Sequence, residues 1–256
     1  MFHLVDLSGR TIIVTGAGQG IGAGIAAMAA RLGANVAVVD TNPETAAATV
    51  AQLERPGKAY VGSVADPDFV QATTADAIAT FGKVDGLVNN AGIIRPAMID
   101  KMSLDQWRQV IDVHLTGSFL FLQAVGRHLL ERAKGGEKAP GAIVNVSSDA
   151  GRKGSIGQIN YSAAKAGILG LTMSAAREWA KHEIRVNTLS YGVVETPMTE
   201  VIRGEKFRDG ALAQIPMGRW AQPEEAASAA CFLLSPASSY VIGQHIGVNG
   251  GYHIAS

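Results

Sequence analysis

Three residues between positions 148 and 165 have the types and spacing that proton transfer requires. Ser148 follows an apolar run, residues 142–146, typical of a buried strand, and open α/β sheets bind ligands at the carboxyl ends of their strands. Tyr161 and Lys165 are four residues apart in a segment that favours a helix, so they share one helix face. An ammonium group near a phenol favours the phenolate and lowers the phenol pKa from about 10. The spacing predicts Tyr161 as a general acid/base and Ser148 as a donor to the same substrate oxygen.

A Tyr and a Lys at this spacing occur by chance in roughly one chain of this composition in six, so other signals are needed. A glycine-rich turn, residues 16–22, lies between a predicted strand at 11–15 and a predicted helix at 23–32. Glycines let the backbone approach a pyrophosphate, which the free N–H groups and the dipole of a helix amino end attract. This order of elements predicts a dinucleotide site, although the turn by itself would also fit a tight strand-to-helix connection in about a third of cases.

The end of the second predicted strand bears on the choice of dinucleotide. Asp40 ends that strand, 18 residues beyond Gly22, where an acid binds the ribose hydroxyls of adenosine and repels a 2′-phosphate. Gln19 in the glycine turn and Thr41 after Asp40 are uncharged, so neither would bind that phosphate as a cation. The sequence therefore favours NAD over NADP.

Hydrophobic periodicity predicts an α/β fold with a mostly parallel, doubly wound sheet between two layers of helices. No linker or repeat interrupts the pattern, so we expect residues 1–256 to form a single domain. The seven predicted strands span 11–15, 36–40, 59–61, 84–88, 142–146, 185–189 and 245–248, and the predicted helices span 23–32, 43–54, 67–81, 103–132, 160–181 and 223–234. Residues 196–220 are the least regular long segment, and their place after a strand end suits a flap over a site.

Composition narrows the class of protein. Charged residues make up 17% of the chain, against about 25% in an average globular protein, which favours a surface partly hidden in an oligomer. The net charge is zero and no block of Lys or Arg occurs, so nucleic acid is not an expected partner. No apolar stretch is long enough for a membrane span and residues 1–10 lack a signal-peptide layout, so we expect a cytoplasmic protein. The histidines show no metal-ligand spacing, and the single Cys231 suits a core thiol.

Four motifs together resemble the short-chain dehydrogenase/reductase family. They are the glycine turn with its preceding Thr at 15–22, Asn-Asn-Ala-Gly at 89–92, Ser148 with Tyr161 and Lys165, and Val-Asn-Gly-Gly at 248–251. The resemblance covers essentially the whole chain and is closest to 3-oxoacyl-carrier-protein reductases and to similar sugar, alcohol and hydroxyacyl dehydrogenases. It implies a Rossmann-type seven-stranded sheet, a homotetramer, and hydride transfer between a nicotinamide cofactor and a secondary alcohol/ketone pair.

The resemblance also implies roles for individual residues. Tyr161 would be the acid/base, Lys165 would bind the nicotinamide ribose, and Ser148 would bind the substrate oxygen. Asn89, Ala91 and Gly92 would line the adenosine side, and Val194 and Thr196 would meet the nicotinamide carboxamide. The complete set of expected cofactor-binding residues is Gly16, Gln19, Gly20, Ile21, Gly22, Asp40, Ser63, Val64, Asn89, Ala91, Gly92, Tyr161, Lys165, Val194 and Thr196.

Three positions depart from the family pattern. Ser63 and Val64 stand where Asp-Val commonly binds the adenine, and Tyr191 stands where Pro is usual, so an aromatic ring could narrow the nicotinamide end. His114 stands where an Asn usually holds a water of a proton relay. A neutral imidazole could take over that task, or His114 could be a core histidine that only packs.

Other functions remain open at this point. The chain could be a cofactor-binding sensor or scaffold without turnover, since fold does not imply function. An epimerase or dehydratase could use the same Tyr/Lys pair, but the family members with that activity have a different glycine spacing and an added substrate domain. The substrate is open among polyols, hydroxyacyl compounds and cyclic alcohols. Asp149, beside Ser148, is expected to be a solvated loop acid, with a pocket acid as the alternative.

Overall fold

A seven-stranded parallel sheet with helices on both faces forms the protein, as the sequence predicts. The computed structural model describes residues 5–254; residues 1–4, part of the stretch considered for a signal peptide, and residues 255–256 lie outside the described range. The strands are β1 (Thr11–Thr15), β2 (Asn35–Asp40), β3 (Gly57–Val61), β4 (Gly86–Asn89), β5 (Ala142–Ser148), β6 (Arg185–Tyr191) and β7 (His245–Val248). The helices are α1 (Gly20–Arg31), α2 (Pro43–Ala51), α3 (Pro67–Phe81), α4 (Leu104–Ile111), α5 (Gly117–Lys134), α6 (Ala150–Lys153), α7 (Ile159–Trp179), α8 (Glu200–Arg203), α9 (Glu205–Leu212) and α10 (Pro223–Leu234).

The strand order is β3-β2-β1-β4-β5-β6-β7, and every pair is parallel. The chain moves outward from β1 to β3, returns to the centre with β4, and continues outward on the other side. The order therefore reverses between β1 and β4. Open parallel sheets bind ligands in the crevice that such a reversal leaves at the carboxyl ends of the strands.

Alternate residues of each strand pack into two separate apolar layers. In β1, Ile12 and Val14 belong to the layer that contains residues of α1 and α10, whereas Ile13 belongs to the layer that contains residues of α3, α5 and α7. Successive side chains of a strand point to opposite faces, so a strand covered on both faces must be apolar at consecutive positions. This is why the predicted strands read as continuous apolar runs.

The helix predicted over 103–132 is interrupted. After α4 the backbone forms a π-helical turn, Asp112–Thr116, before α5 begins at Gly117. Gly117 packs against Val64 so closely that an added Cβ would lie 2.7 Å from a Val64 methyl carbon, and the Ser118 hydroxyl donates to the His114 carbonyl at 2.6 Å. Such π turns occur often at functional sites, and here the turn contains His114.

The segment predicted to be irregular, residues 196–220, contains short helices. A 3-10 turn (Pro197–Thr199) leads into α8 and α9, and Trp220 packs with Ala211 and Ile215 in a small apolar cluster. These local contacts explain why the segment folds despite Gly204 and Gly210. No helix in the described part of the chain has the length and hydrophobicity required to cross a membrane.

Candidate active site

The glycine turn connects β1 to α1 through a backbone shape that side chains would prevent. Gly16 has φ +62°, and a Cβ there would lie 2.7 Å from Ala91 Cα. A Cβ on Gly22 would overlap the Gly16 carbonyl. Helix α1 starts at Gly20, with no side chain capping its amino end and no acid in its first turn. Its free N–H groups and positive dipole end therefore suit an anion.

Asp40 lies beside this turn at the end of β2. One carboxylate oxygen accepts from the Gly18 amide at 2.9 Å, and the other accepts from the Asn42 amide at 3.1 Å. These bonds orient the carboxylate at the edge of the cavity that the glycine turn also lines. The arrangement provides negative charge and acceptor oxygens where the hydroxyls of a ribose would bind.

A single cavity of about 360 Å³ extends from Asp40 to Thr199 and contains most of the predicted site residues. The predicted residues that line it are Gly16, Gln19, Gly20, Ile21, Asp40, Ser63, Val64, Ala91, Gly92, His114, Ser148, Tyr161, Lys165, Val194 and Thr196. Two predicted residues, Gly22 and Asn89, are not among its lining residues. Gly22 supports the turn from within α1.

The prediction that Asn89 lines the adenosine side is wrong in detail. Its amide is buried and donates to the Ser118 carbonyl at 3.1 Å and to Asn145 Oδ1 at 2.9 Å. The next residue, Asn90, lines the cavity, and its side chain donates to the carbonyls of Thr15 and Gly16. The alternation of side chains along a strand could have predicted that only one of the two asparagines faces the cavity, because consecutive side chains at the end of β4 point in opposite directions.

Ser148, Tyr161 and Lys165 come together at the carboxyl end of β5 and the first turns of α7. Burial raises the pKa of Tyr161, and the neighbouring Ser148 hydroxyl lowers it by a smaller amount. The Lys165 ammonium lies 5.7 Å from the Tyr161 ring centroid and donates to the Val146 carbonyl at 2.6 Å. The pKa of Tyr161 is therefore raised overall, opposite to the predicted lowering, because the nearby charge of Lys165 does not offset the effect of burial.

Lys165 is only 3% exposed, and the described residues give it no carboxylate partner. Burial lowers its pKa to about 7, since a buried amine avoids its charged form. Near neutral pH the ammonium and amine forms are therefore both populated, which suits a group that passes protons.

His114 is 1% exposed and lies against the acid/base pair. Its ring meets the Tyr161 ring edge to face, with centroids 5.1 Å apart. Nε2 is 2.9 Å from the Ile93 amide nitrogen and 2.7 Å from the Ile93 carbonyl oxygen, whereas Nδ1 is buried without a hydrogen-bond partner. Burial, followed by the charge of Lys165, lowers the pKa of His114 to about 3, so the imidazole is neutral, as the sequence predicts.

The other departures from the family pattern are accommodated locally. Tyr191 belongs to the core, and its hydroxyl donates to the Ala226 carbonyl in α10 at 3.0 Å, although the residue also contributes to the cavity wall. The Ser63 hydroxyl accepts from the Ala65 amide at 3.2 Å.

Asp149 is not the solvated acid that was expected: it is 3% exposed, accepts from Asn249 at 2.9 Å, and burial raises its pKa. Asn249 is in the Val-Asn-Gly-Gly motif, which was the available signal for this contact.

The segment that follows β6 forms one wall of the cavity. Residues 196–199 line the cavity, and Arg203 holds them by donating to the Thr196 carbonyl at 3.0 Å. Within residues 5–254, no cluster of His, Cys, Asp or Glu has the arrangement of a metal site.

Comparisons with known proteins agree with this geometry. The family model described as enoyl-(acyl carrier protein) reductase matches residues 16–253. The chain is 42% identical to the 3-oxoacyl-[acyl-carrier-protein] reductase FabG of Thermotoga maritima, over 96% of this chain and 98% of that protein. It is also 42% identical to the D-threitol dehydrogenase of Mycolicibacterium smegmatis, over 97% and 94%. A crystal structure of a short-chain alcohol dehydrogenase from Sinorhizobium meliloti superposes with a TM-score of 0.92 at 35% identity, over 98% of both chains.

Proposed function

We propose that this chain, which belongs to the short-chain dehydrogenase/reductase family and is an oxidoreductase of hydroxyl and keto groups, is an NAD-dependent dehydrogenase of secondary alcohols and the matching ketones. The observation that carries the proposal is the meeting of Ser148, Tyr161 and Lys165 on the wall of the cavity that also contains the glycine turn. A proton acceptor and the residues that suit a dinucleotide therefore share one cavity.

The residues present fit a dinucleotide. The uncapped amino end of α1 suits its pyrophosphate, and Asp40 suits the adenosine ribose. The other residues that would hold it are Gly16, Gln19, Gly20, Ile21, Ser63, Val64, Ala91, Gly92, Val194 and Thr196, with Tyr161 and Lys165 at the nicotinamide ribose. A bound nicotinamide would supply the hydride acceptor for alcohol oxidation and the hydride donor for ketone reduction.

The chain's own residues handle the proton. In alcohol oxidation, Tyr161 as phenolate takes the hydroxyl proton while the carbon loses its hydride, so the alcohol becomes a ketone. The Ser148 hydroxyl holds the substrate oxygen and donates to Tyr161 or to that oxygen as charge shifts between them. Lys165, with its pKa near 7, stabilises the phenolate by its positive charge and accepts or returns protons within a turn of α7.

A panel of secondary alcohols and ketones, each with NAD and NADP, tests the proposal by the absorbance of the reduced cofactor. We expect turnover with NAD. A protein that bound the dinucleotide but turned over no member of the panel would be the sensor or scaffold considered from the sequence. The presence of all three catalytic side chains supports turnover.

The cofactor preference depends on Asp40. We expect Asp40→Asn to narrow the preference for NAD by roughly tenfold, mainly through better use of NADP, because the substitution removes the charge that repels a 2′-phosphate. Asparagine retains an acceptor oxygen for the Gly18 amide, which alanine would remove. The measurement is kcat/KM for both cofactors, with Asp68→Asn, at an exposed acid in α3, as the matched control. Equal use of NAD and NADP by the parent protein would contradict the proposed role of Asp40.

We propose that His114 takes part in the proton relay through its free Nδ1. His114→Asn is expected to stay active, because an amide also has a donor and an acceptor. His114→Leu is expected to lose rate in proton exchange and to show a larger solvent isotope effect, with hydride transfer unchanged. Rates and solvent isotope effects of the three proteins, measured over pH, check this. A leucine variant with the parent rate and profile would leave His114 a packing residue.

The same histidine makes the fold sensitive to acid. The unfolded chain binds a proton at His114 near pH 6.5, whereas the folded protein binds it only near pH 3, so stability falls as pH decreases below 6.5. His114→Asn should remove about 2 kcal/mol of this loss at pH 5. Urea unfolding at pH 7.5 and pH 5 measures it, with His182→Asn as the control.

We further propose that the protein is a cytoplasmic homotetramer. The low charged fraction and the exposed Phe119 of α5 and Met173 of α7 support burial of these helices between copies. Light scattering of the purified protein tests the number of copies.

A further inference from the structure

Exposed apolar side chains are concentrated in chain segments next to residues that line the catalytic cavity. Fifteen large hydrophobic side chains of the described residues are exposed, and nine of them lie in three stretches of chain near cavity-lining residues. Residues 98–104 and 156–159 form the first part, with Met98, Ile99, Leu104, Ile156 and Ile159, and residues 198–207 form the second, with Met198, Val201, Ile202 and Phe207. We call these nine side chains the apolar rim. Single exposed apolar residues are common, but a concentration beside a cavity marks a binding surface.

The first part of the rim is joined to the acid/base pair. Its two loops are bonded to each other, since the Ala97 amide donates to the Gly157 carbonyl at 2.9 Å. Asn160, next to Tyr161, donates its side-chain amide to the carbonyls of Arg95 and Gln106, both at 3.0 Å. These bonds hold the exposed Ile99 and Ile156 on the segments that border Ile93 and Tyr161 in the cavity wall.

The second part of the rim continues from the opposite wall. Met198 both lines the cavity and is exposed, and Val201, 76% exposed, follows in α8. Arg203 directs its guanidinium to the Thr196 carbonyl and the Thr199 hydroxyl, at 3.0 and 3.2 Å. The Arg203 guanidinium therefore forms its hydrogen bonds within this segment.

Two polar side chains next to the rim, those of Asn160 and Thr199, are bonded within the protein. The Asn160 amide group is used as described, and its oxygen accepts from the Tyr161 amide at 2.8 Å. The Thr199 hydroxyl donates to the Val194 carbonyl. A polyol would require a polar partner for each additional hydroxyl that it buries, and these side chains are already satisfied. An alkyl chain or ring requires only apolar surface.

We infer that the substrate carries an apolar chain or ring on its alcohol carbon, which the apolar rim covers, and that polyols are poor substrates. This inference rests on the proposed dehydrogenase function and specifies its substrate class. The rim includes the cavity-lining Met198 and follows closely along the chain from Ile93 and around Tyr161, so we expect a substrate held at Ser148 and Tyr161 to extend onto it.

A homologous series of secondary alcohols from 2-butanol to 2-decanol, compared with polyols of four to six carbons, tests the inference. We expect kcat/KM to rise roughly twofold to fourfold with each of the first few methylene groups added to the alkyl chain. The lower value corresponds to partial burial of a CH2 group and the higher value to full burial. Threitol and xylitol are expected to react at least a hundredfold more slowly than the best alcohol of the series.

Two rim variants, Ile156→Ser and Val201→Ser, examine whether the rim causes this dependence. Both side chains are largely exposed, so the substitutions should leave the fold intact. We expect each variant to flatten the increase with chain length, when its rates are normalised to 2-butanol. Tyr240→Ser removes an equally exposed ring elsewhere and should retain the full increase.

The possible failures are distinguishable. If the parent turned over no alcohol or ketone, the proposed function would fail. If it turned over alcohols with no dependence on chain length, or polyols as well as alkyl alcohols, the function would stand and the apolar-chain inference would be overturned. If the rim variants kept the increase but changed the number of copies measured by light scattering, the rim would be an interface between copies, and the inference would again be overturned.

Discussion

Tyr161→Phe is expected to lower kcat by a factor of at least 10² to 10⁴, the usual effect of losing a general acid/base. Tyr161 is the phenol beside Ser148 in the cavity wall, so the substrate proton has no equivalent acceptor in the variant. The ring remains, and with it the edge-to-face contact with His114. Binding of NADH, followed by its fluorescence, should therefore change little.

The matched control is Tyr240→Phe, which removes a phenol hydroxyl from a fully exposed ring. That variant should have the parent kcat. Turnover by Tyr161→Phe within tenfold of the parent would contradict the mechanism, whereas loss of both turnover and NADH binding would point to a structural role for the hydroxyl.

Lys165→Met is expected to lower activity strongly and, at the same time, to stabilise the cofactor-free fold. Without its positive charge the phenolate of Tyr161 is less favoured, so we expect kcat/KM to fall by at least about 10² and the remaining activity to shift to higher pH. Weaker cofactor binding should accompany the loss, because Lys165 is the proposed partner of the nicotinamide ribose.

The gain in stability follows from the pKa of the buried amine. Below pH 7 the folded protein must carry a buried ammonium group, whereas in the unfolded chain Lys165 is charged up to about pH 10.4 without penalty. The resulting destabilisation is complete below pH 7 and disappears as pH rises towards 10.4. Its upper bound is roughly 5 kcal/mol, offset by about 1–3 kcal/mol for the Val146 carbonyl left without its donor.

Thermal unfolding at pH 6 should therefore show a rise in Tm of roughly 4–8 °C for Lys165→Met. The rise should shrink between pH 8 and pH 10. Lys181→Met, at an exposed lysine after α7, should show no such pH-dependent gain. A variant less stable than the parent at pH 6 would mean that the ammonium is better solvated than its burial indicates, and the cost assigned to its charge would be wrong.

The sequence by itself determined the features that local spacing controls. Continuous apolar runs alternating with helical segments predict a parallel sheet covered on both faces, because each strand of such a sheet is buried on both sides. The glycine turn before α1 and the four-residue spacing of Tyr161 and Lys165 are likewise local, and they identified the two halves of the site. Asp40 was identifiable because a strand end is recognisable from its residues.

Only the tertiary structure decided the features that depend on packing between distant segments. The π turn at His114 depends on the contact of Gly117 with Val64, and the burial of Asp149 depends on Asn249, a hundred residues away. The pKa of Tyr161 was misjudged from spacing, because spacing reveals a neighbouring ammonium group but not the loss of water around the phenol. Desolvation and long-range contacts are properties of the assembled core, so no short stretch of sequence contains them.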